Sequence, residues 1–125
     1  MMQIISTHSA PQAIGPYSQA IIANGFLFTS GQIALKPDGS FVDGDIKAQT
    51  EQVMANLKAV LAACDTEVKN VVKTTIFLAN MDDFAVVNEI YGATFSEHKP
   101  ARSCVAVKTL PKGALIEIEL IAKVK

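Results

Sequence analysis

The sequence is poor in the groups on which metal, redox and nucleic-acid chemistry depend. Its 125 residues include two cysteines and two histidines. Cys64 and Cys104 lie far apart, one in a helical pattern and one in a strand pattern. They read as reduced thiols, which points to an intracellular, cytoplasmic protein. His8 and His98 are isolated, and no pair of ligands has zinc spacing, so no metal is expected. His98 falls where a last helical turn should be, a place that suits a dipole or surface role. Eleven basic residues balance twelve acidic ones, giving a net charge of −1 and a pI near 6.1. There is no basic block and no aromatic-basic interleaving, which speaks against a surface that tracks phosphates or binds nucleic acid. No long apolar run and no charged-then-apolar leader is present, which argues against a membrane span or a secretory signal. Nor is there an internal repeat, a low-complexity tract or a linker, so residues 1–125 are expected to form one domain.

What is present is a core. Half the residues are apolar, and their spacing reads in order. Gln3 to Thr7 suits a short first strand. After a loop from Ala10 to Pro16, Tyr17 to Ala23 and Phe26 to Ser30 flank Asn24-Gly25, a strong hairpin signal that implies a type I′ turn. That turn would set Ala23 opposite Phe26, Gln19 opposite Ser30 and Tyr17 opposite Gln32. Tyr17 and Ser30 would then be diagonal neighbours, roughly 7–8 Å apart at Cα. Gly31 ends the strand, where bare backbone can approach a ligand closely. Tyr17 serves equally well as a half-buried aromatic that anchors the loop. Lys36 to Ser40 is a surface turn. A helix is expected from Ile46 to Cys64, capped near Asp43 or Asp45, with Ile46, Val53, Leu57, Val60, Leu61 and Cys64 as its apolar stripe. Lys73 to Ala79 reads as a strand. A second helix is expected from Asp83 to Glu97, capped by Asn80 or Asp82 and stopped before Pro100. Phe84, Tyr91 and Phe95 mark its buried stripe, and Asn88 falls inside it. A buried amide must find partners, either in a neighbouring loop or at a polar pocket.

The C-terminal stretch carries the most chemistry. Pro100 to Val105 and Ile116 to Glu119 alternate around Leu110-Pro111-Lys112-Gly113, which predicts a final hairpin. Matching apolar Val105 and Val107 to Ile116, Ile118 and Leu120 would put Arg102, Cys104, Glu117 and Glu119 on one polar face. Such a face is either a solvated cross-strand ion pair or a place to hold a small carboxylate and a water. The middle of the chain, strand-helix-strand-helix-strand, calls for two crossovers with both helices on the same face of a mixed sheet. The fold class expected is α/β (α+β), a six-stranded mixed sheet with two helices on one side. The other side, with Phe28, Phe77 or Ile76, Ala106 and Ile121 as candidates, should pack against other copies, with Arg102 and Glu117 near the seams.

The motifs together resemble the Rid family of reactive-intermediate (enamine/imine) deaminases, and within it the RidA-type members; older labels are endoribonuclease L-PSP and translation inhibitor. The likeness rests on Ala13-Ile14-Gly15-Pro16-Tyr17-Ser18-Gln19, Thr29-Ser30-Gly31-Gln32-Ile33, Val72 to Leu78, Asp83-Phe84 with Val87 to Tyr91, Pro100 to Val105, Leu110-Pro111-Lys112 and Ile116 to Glu119. It runs the length of the chain in order. The resemblance implies a fold like that of bacillus-type chorismate mutase, a homotrimer with pockets between subunits, and hydrolysis of 2-aminoacrylate, 2-iminopropanoate or 2-iminobutanoate to a 2-oxo acid and ammonia. It implies no cofactor. By the same resemblance Arg102 holds the substrate carboxylate and Glu117 orients or activates water. Tyr17, Ser30, Gly31, Asn88 and Cys104 line the pocket.

An arginine suits a carboxylate because its planar fork offers two parallel hydrogen bonds and keeps its charge. A glutamate can take a proton from water and return one to the departing amine. No histidine partners Cys104, so packing suits it better than nucleophilic attack. Two other functions use the same motifs: a trimer that binds 2-oxo or short carboxylic acids without catalysis, and the ribonuclease or translation inhibitor of the older label, against which the acidic balance speaks.

Overall fold

Asn24 and Gly25 both take positive φ, 51° and 80°, the left-handed pair that a type I′ turn requires. They join β2 (Ala20–Ala23) to β3 (Phe26–Thr29), with Ala23 beside Phe26 and Ala20 beside Thr29. The expected register therefore holds, and Ser30 N–H extends it by donating to Gln19 C=O at 2.9 Å. It stops there. Tyr17 N–H donates to Gly15 C=O in a tight loop, and Gln32 pairs with Ile118 rather than Tyr17.

A computed structural model describes residues 2–124. The other elements are β1 (Gln3–Ile5), α1 (Ile46–Ala63), β4 (Val71–Leu78), α2 (Phe84–Thr94), β5 (Ala101–Ala106) and β6 (Ile116–Lys123). Asp45 caps α1 by accepting from Ala48 N–H at 2.9 Å, which satisfies one of the orphan donors of the first turn. Asn80 caps a 3₁₀ turn, Met81–Asp83, that leads into α2. Helix α2 ends at Thr94, earlier than expected. His98 lies beyond it, with Nε2 2.6 Å from Val71 C=O.

The six strands form one mixed sheet in the order β1-β2-β3-β6-β4-β5. β6 is antiparallel to both β3 and β4, while β4 and β5 are parallel. Hence β3, β4 and β5 run the same way, as two helical crossovers demand. Both helices cover one face. Their apolar side chains, Val53, Leu57, Val60 and Leu61 of α1 and Val87 and Tyr91 of α2, share one buried cluster with Leu27, Ile76, Ile116, Ile118 and Leu120 of the sheet.

The final hairpin does not form. β4 lies between β5 and β6, and the 107–115 connection, with a 3₁₀ turn at Pro111–Gly113, spans the gap of roughly 10 Å, two strand spacings. This reverses the expected side for β5. Arg102 lies beside Thr74 and Thr74 beside Leu120, so Arg102 and, two residues on, Cys104 are on the helix-covered face. Glu117 lies beside Phe77 and Phe77 beside Val105, so Glu117 and Glu119 are on the uncovered face. An edge strand has no need to keep its apolar residues inward, and Val105 is 45 % exposed. The uncovered face does carry Phe28, Phe77 and Ile121, but Ile76 is buried under the helices and Ala106 is on their side. Asn88 is also displaced from expectation. Val87 fills the gap in the α2 stripe, and Asn88 is exposed one position round the helix.

Candidate active site

The residues singled out in the sequence fall into two clefts, one containing Glu117 and the other containing Arg102. Around Glu117 is a cleft of about 600 Å³, walled by the 11–17 loop, the Ser30-Gly31 stretch that follows β3 and the Pro111-Lys112 turn. Its wall is pinned from within by Gln19, which is 3 % exposed. Gln19 Nε2 donates to Thr7 C=O at 3.0 Å and Pro11 C=O at 2.6 Å, and its Oε1 accepts from Thr7 N–H at 2.6 Å. Ser30 Oγ donates to Ser18 C=O at 2.5 Å. Tyr17 is 54 % exposed and lines the cleft with Ile14. Gly31 lies so close to Glu117 that a Cβ there would fall within the carboxyl group. Lys112 lines the same cleft with φ of 57°, a left-handed conformation that non-glycine residues adopt at a cost.

Burial pushes the Glu117 carboxyl up from its ordinary value, and the neighbouring Glu119 carboxylate adds to the effect. A carboxyl shifted toward neutrality is suited to accept and return a proton.

The second cleft, of about 450 Å³, lies on the helix side, where α2 overhangs β5. Arg102 reaches into it beside Tyr91, Phe95, Lys99 and Pro100. Arg102 Nη1 donates to Asn88 Oδ1 at 2.7 Å. The guanidinium carbon is 5.0 Å from the Tyr91 ring centre and 5.3 Å from that of Phe84. Among the described residues the one ion pair is Lys69 with Glu67, at 3.9 Å, so neither Arg102 nor Glu117 is neutralised within the protomer. Cys104 follows Arg102 on the same face but lies outside both sets of cleft walls. Burial raises its thiol pKa, against the opposing charge of Arg102, so the group is a protonated thiol at neutral pH.

The structure therefore brings Tyr17, Ser30, Gly31 and Glu117 together, and separately Asn88 and Arg102. It does not bring Arg102 and Glu117 to one cleft of one protomer. Sequence reasoning missed the part played by Phe84 and Tyr91, which it read only as core; an arginine two residues after Pro100 and an aromatic helix stripe were the available signals. Among the described residues no group of three His, Cys, Asp or Glu side chains is placed to hold a metal ion. No described helix is long and apolar enough to cross a membrane.

Comparison with known proteins agrees with the fold. The sequence profile of the family described as endoribonuclease L-PSP matches residues 7–124. A 2-iminobutanoate/2-iminopropanoate deaminase of Escherichia coli is 46 % identical over 125 residues, 98 % of each chain. The crystal structure of a conserved Rid family protein from Yersinia pestis is 52 % identical, with a TM-score of 0.97 over 99 % of this chain and 100 % of that one. That of E. coli TdcF with bound serine is 41 % identical, with a TM-score of 0.92 over 98 % and 99 % of the two chains. The family profile covers nearly the whole sequence and the neighbours share its fold, so this chain belongs to the endoribonuclease L-PSP family, the Rid proteins whose motifs its sequence carries.

Proposed function

We propose that the protein is a 2-iminobutanoate/2-iminopropanoate deaminase working as a homotrimer, with each site assembled from the Arg102 cleft of one protomer and the Glu117 cleft of its neighbour. The observation that carries this reading is the separation of an unpaired guanidinium and a pKa-raised carboxyl onto opposite faces of one sheet. Each is half of a site that binds a carboxylate and activates water, and a cyclic assembly joins such halves head to tail. The E. coli relative's named activity and the serine bound to TdcF, an amino acid of the same size, support the same chemistry.

The reaction needs little else. Arg102 keeps one edge on Asn88 and offers its remaining N–H groups to the substrate carboxylate. That fixes the adjacent C=N carbon at a set distance from Glu117. An enamine first takes a proton on carbon and gives one up from nitrogen to become the imine. Water then adds to the C=N carbon as Glu117 accepts its proton, and the C=N electron pair moves to nitrogen, which is protonated. The hydroxyl proton of the tetrahedral amino alcohol passes by way of Glu117 to the amino nitrogen, the C=O bond forms and the C–N bond breaks. Imine and water have become 2-oxo acid and ammonia. General acid–base help of this kind is worth about 10²–10⁴ in rate.

A coupled assay, in which a dehydratase generates the imine and 2-oxo acid release is followed, tests the reading. Arg102→Ala should abolish the acceleration, and Glu117→Ala should slow turnover while still binding 2-oxobutanoate. Co-assembling the two inactive variants in equal amounts should restore about a quarter of the activity, because random cyclic trimers then contain one intact cleft in each mixed assembly. Wild-type activity in Arg102→Ala would refute the function. Absence of recovery in verified mixed trimers would refute the shared site.

A further inference from the structure

We infer that Tyr91 is a positioning residue for Arg102, holding the guanidinium in the plane that receives the substrate carboxylate. The inference rests on the proposal that Arg102 is the carboxylate ligand. Thr74 and Arg102 are direct neighbours on the parallel strands β4 and β5, facing the same side. Helix α2 packs on this face, and its Tyr91 meets both residues. Its hydroxyl is 2.7 Å from Thr74 Oγ1, and the two residues are 6 % and 1 % exposed. A buried hydroxyl pair of this kind fixes the ring's height over the sheet, since breaking it strands a polar group.

The guanidinium carbon is 5.0 Å from the centre of the ring so fixed and 5.3 Å from that of Phe84, and Nη1 donates to Asn88. All three partners are neutral. A carboxylate in their place would hold the arginine as firmly but would neutralise it and compete with the substrate. Aromatic faces and an amide oxygen orient the cation through its own charge and leave that charge available. A free arginine on an exposed edge strand would otherwise lose much side-chain entropy at each binding event. The cradle removes that cost in advance, so the benefit should appear in substrate capture rather than in the chemical step.

The test compares Tyr91→Leu, Tyr91→Phe and Phe84→Leu. Tyr91→Leu, which removes the ring, should raise KM about tenfold, the scale of one desolvated cation–π contact, with kcat within about twofold of wild type. Calorimetry with 2-oxobutanoate should show a matching loss of affinity. Tyr91→Phe keeps the platform and breaks only the Thr74 anchor; it should lower the melting temperature yet hold KM within about threefold. If Tyr91→Leu does not fold, Phe84→Leu, at a half-buried site, carries the same KM comparison. Unchanged KM and affinity in the folded ring-removal variants would overturn the inference, as would a fall in kcat at constant KM. Wild-type activity in Arg102→Ala would remove this inference together with the proposed function. Loss in Arg102→Ala with unchanged KM in Tyr91→Leu and Phe84→Leu removes the positioning role alone.

Discussion

The Glu117 carboxyl group occupies the space that any side chain on Gly31 would need. The backbone of Gly31 is not in the left-handed region, so the glycine serves close approach rather than a turn. Gly31→Ala should therefore leave the fold intact, because Glu117 can swing into the open cleft. In the coupled assay turnover should drop roughly a hundredfold, the low end of what a positioned acid–base group supplies. A fully active Gly31→Ala protein with an unchanged melting curve would show that the carboxyl need not sit where it does.

The raised pKa of Glu117 has a stability signature. Its carboxyl holds a proton more tightly in the folded chain than in the unfolded one, through burial first and Glu119 second. The folded state therefore binds more protons, and stability falls as pH rises from the unfolded value, near 4.5, through the higher folded one. Glu117→Gln cannot ionise and should lose that falling limb. Melting temperatures taken from pH 4 to 8 should coincide for the two proteins at the acid end and favour the variant at neutrality. A variant less stable than wild type at pH 7 would contradict the assigned direction.

Gln19 ties the wall of the Glu117 cleft to the strand that follows it. Gln19→Leu would leave Thr7 N–H and Pro11 C=O without this partner and remove one of the two bonds to Thr7 C=O, which keeps the one from Gln12 Nε2. At about 1 kcal/mol for each lost bond, a destabilisation of about 2–4 kcal/mol is expected. Urea unfolding measures it, and amide exchange at Thr7 should quicken beyond the global change. Equal protection of Thr7 in both proteins would mean that the loop is held by other means.

Local signals were legible and long-range pairing was not. The Asn24-Gly25 turn and the alternation of β6 are each encoded within a few residues, and the cap of α1, open in the sequence between Asp43 and Asp45, is Asp45. The partner of β5 depends on which strand is free beside it, and β4 takes that place. Val105 misled because β5 is an edge strand, where apolar alternation does not report the core. One wrong partner moved Arg102 to the other side of the sheet. Asn88 failed more simply: positions 87 and 88 both fit between Phe84 and Tyr91 at helical spacing, and the valine, not the amide, is the one buried. Motif resemblance supplied the candidate residues but carried no information about faces, so only coordinates could separate the clefts.

The uncovered face gives the proposed trimer its sharpest test. Leu27 is fully buried under the helices, while Phe28, next along β3, is 44 % exposed on the opposite side beside Ile121. With Phe77 and Val105 it makes an apolar surface that a small domain rarely leaves in water. A charge at Phe28 costs a lone protomer little, since exposed substitutions change stability by about 0.5 kcal/mol or less. Desolvated between copies, the same charge costs several kcal/mol or more. Phe28→Glu should thus give a folded 13.3 kDa species by light scattering at micromolar concentration. Its far-ultraviolet dichroism should match wild type, and its turnover should collapse although Arg102 and Glu117 are untouched. A monomeric Phe28→Glu protein that turns over imines at the wild-type rate would place a complete site within one chain and dismantle the shared cleft.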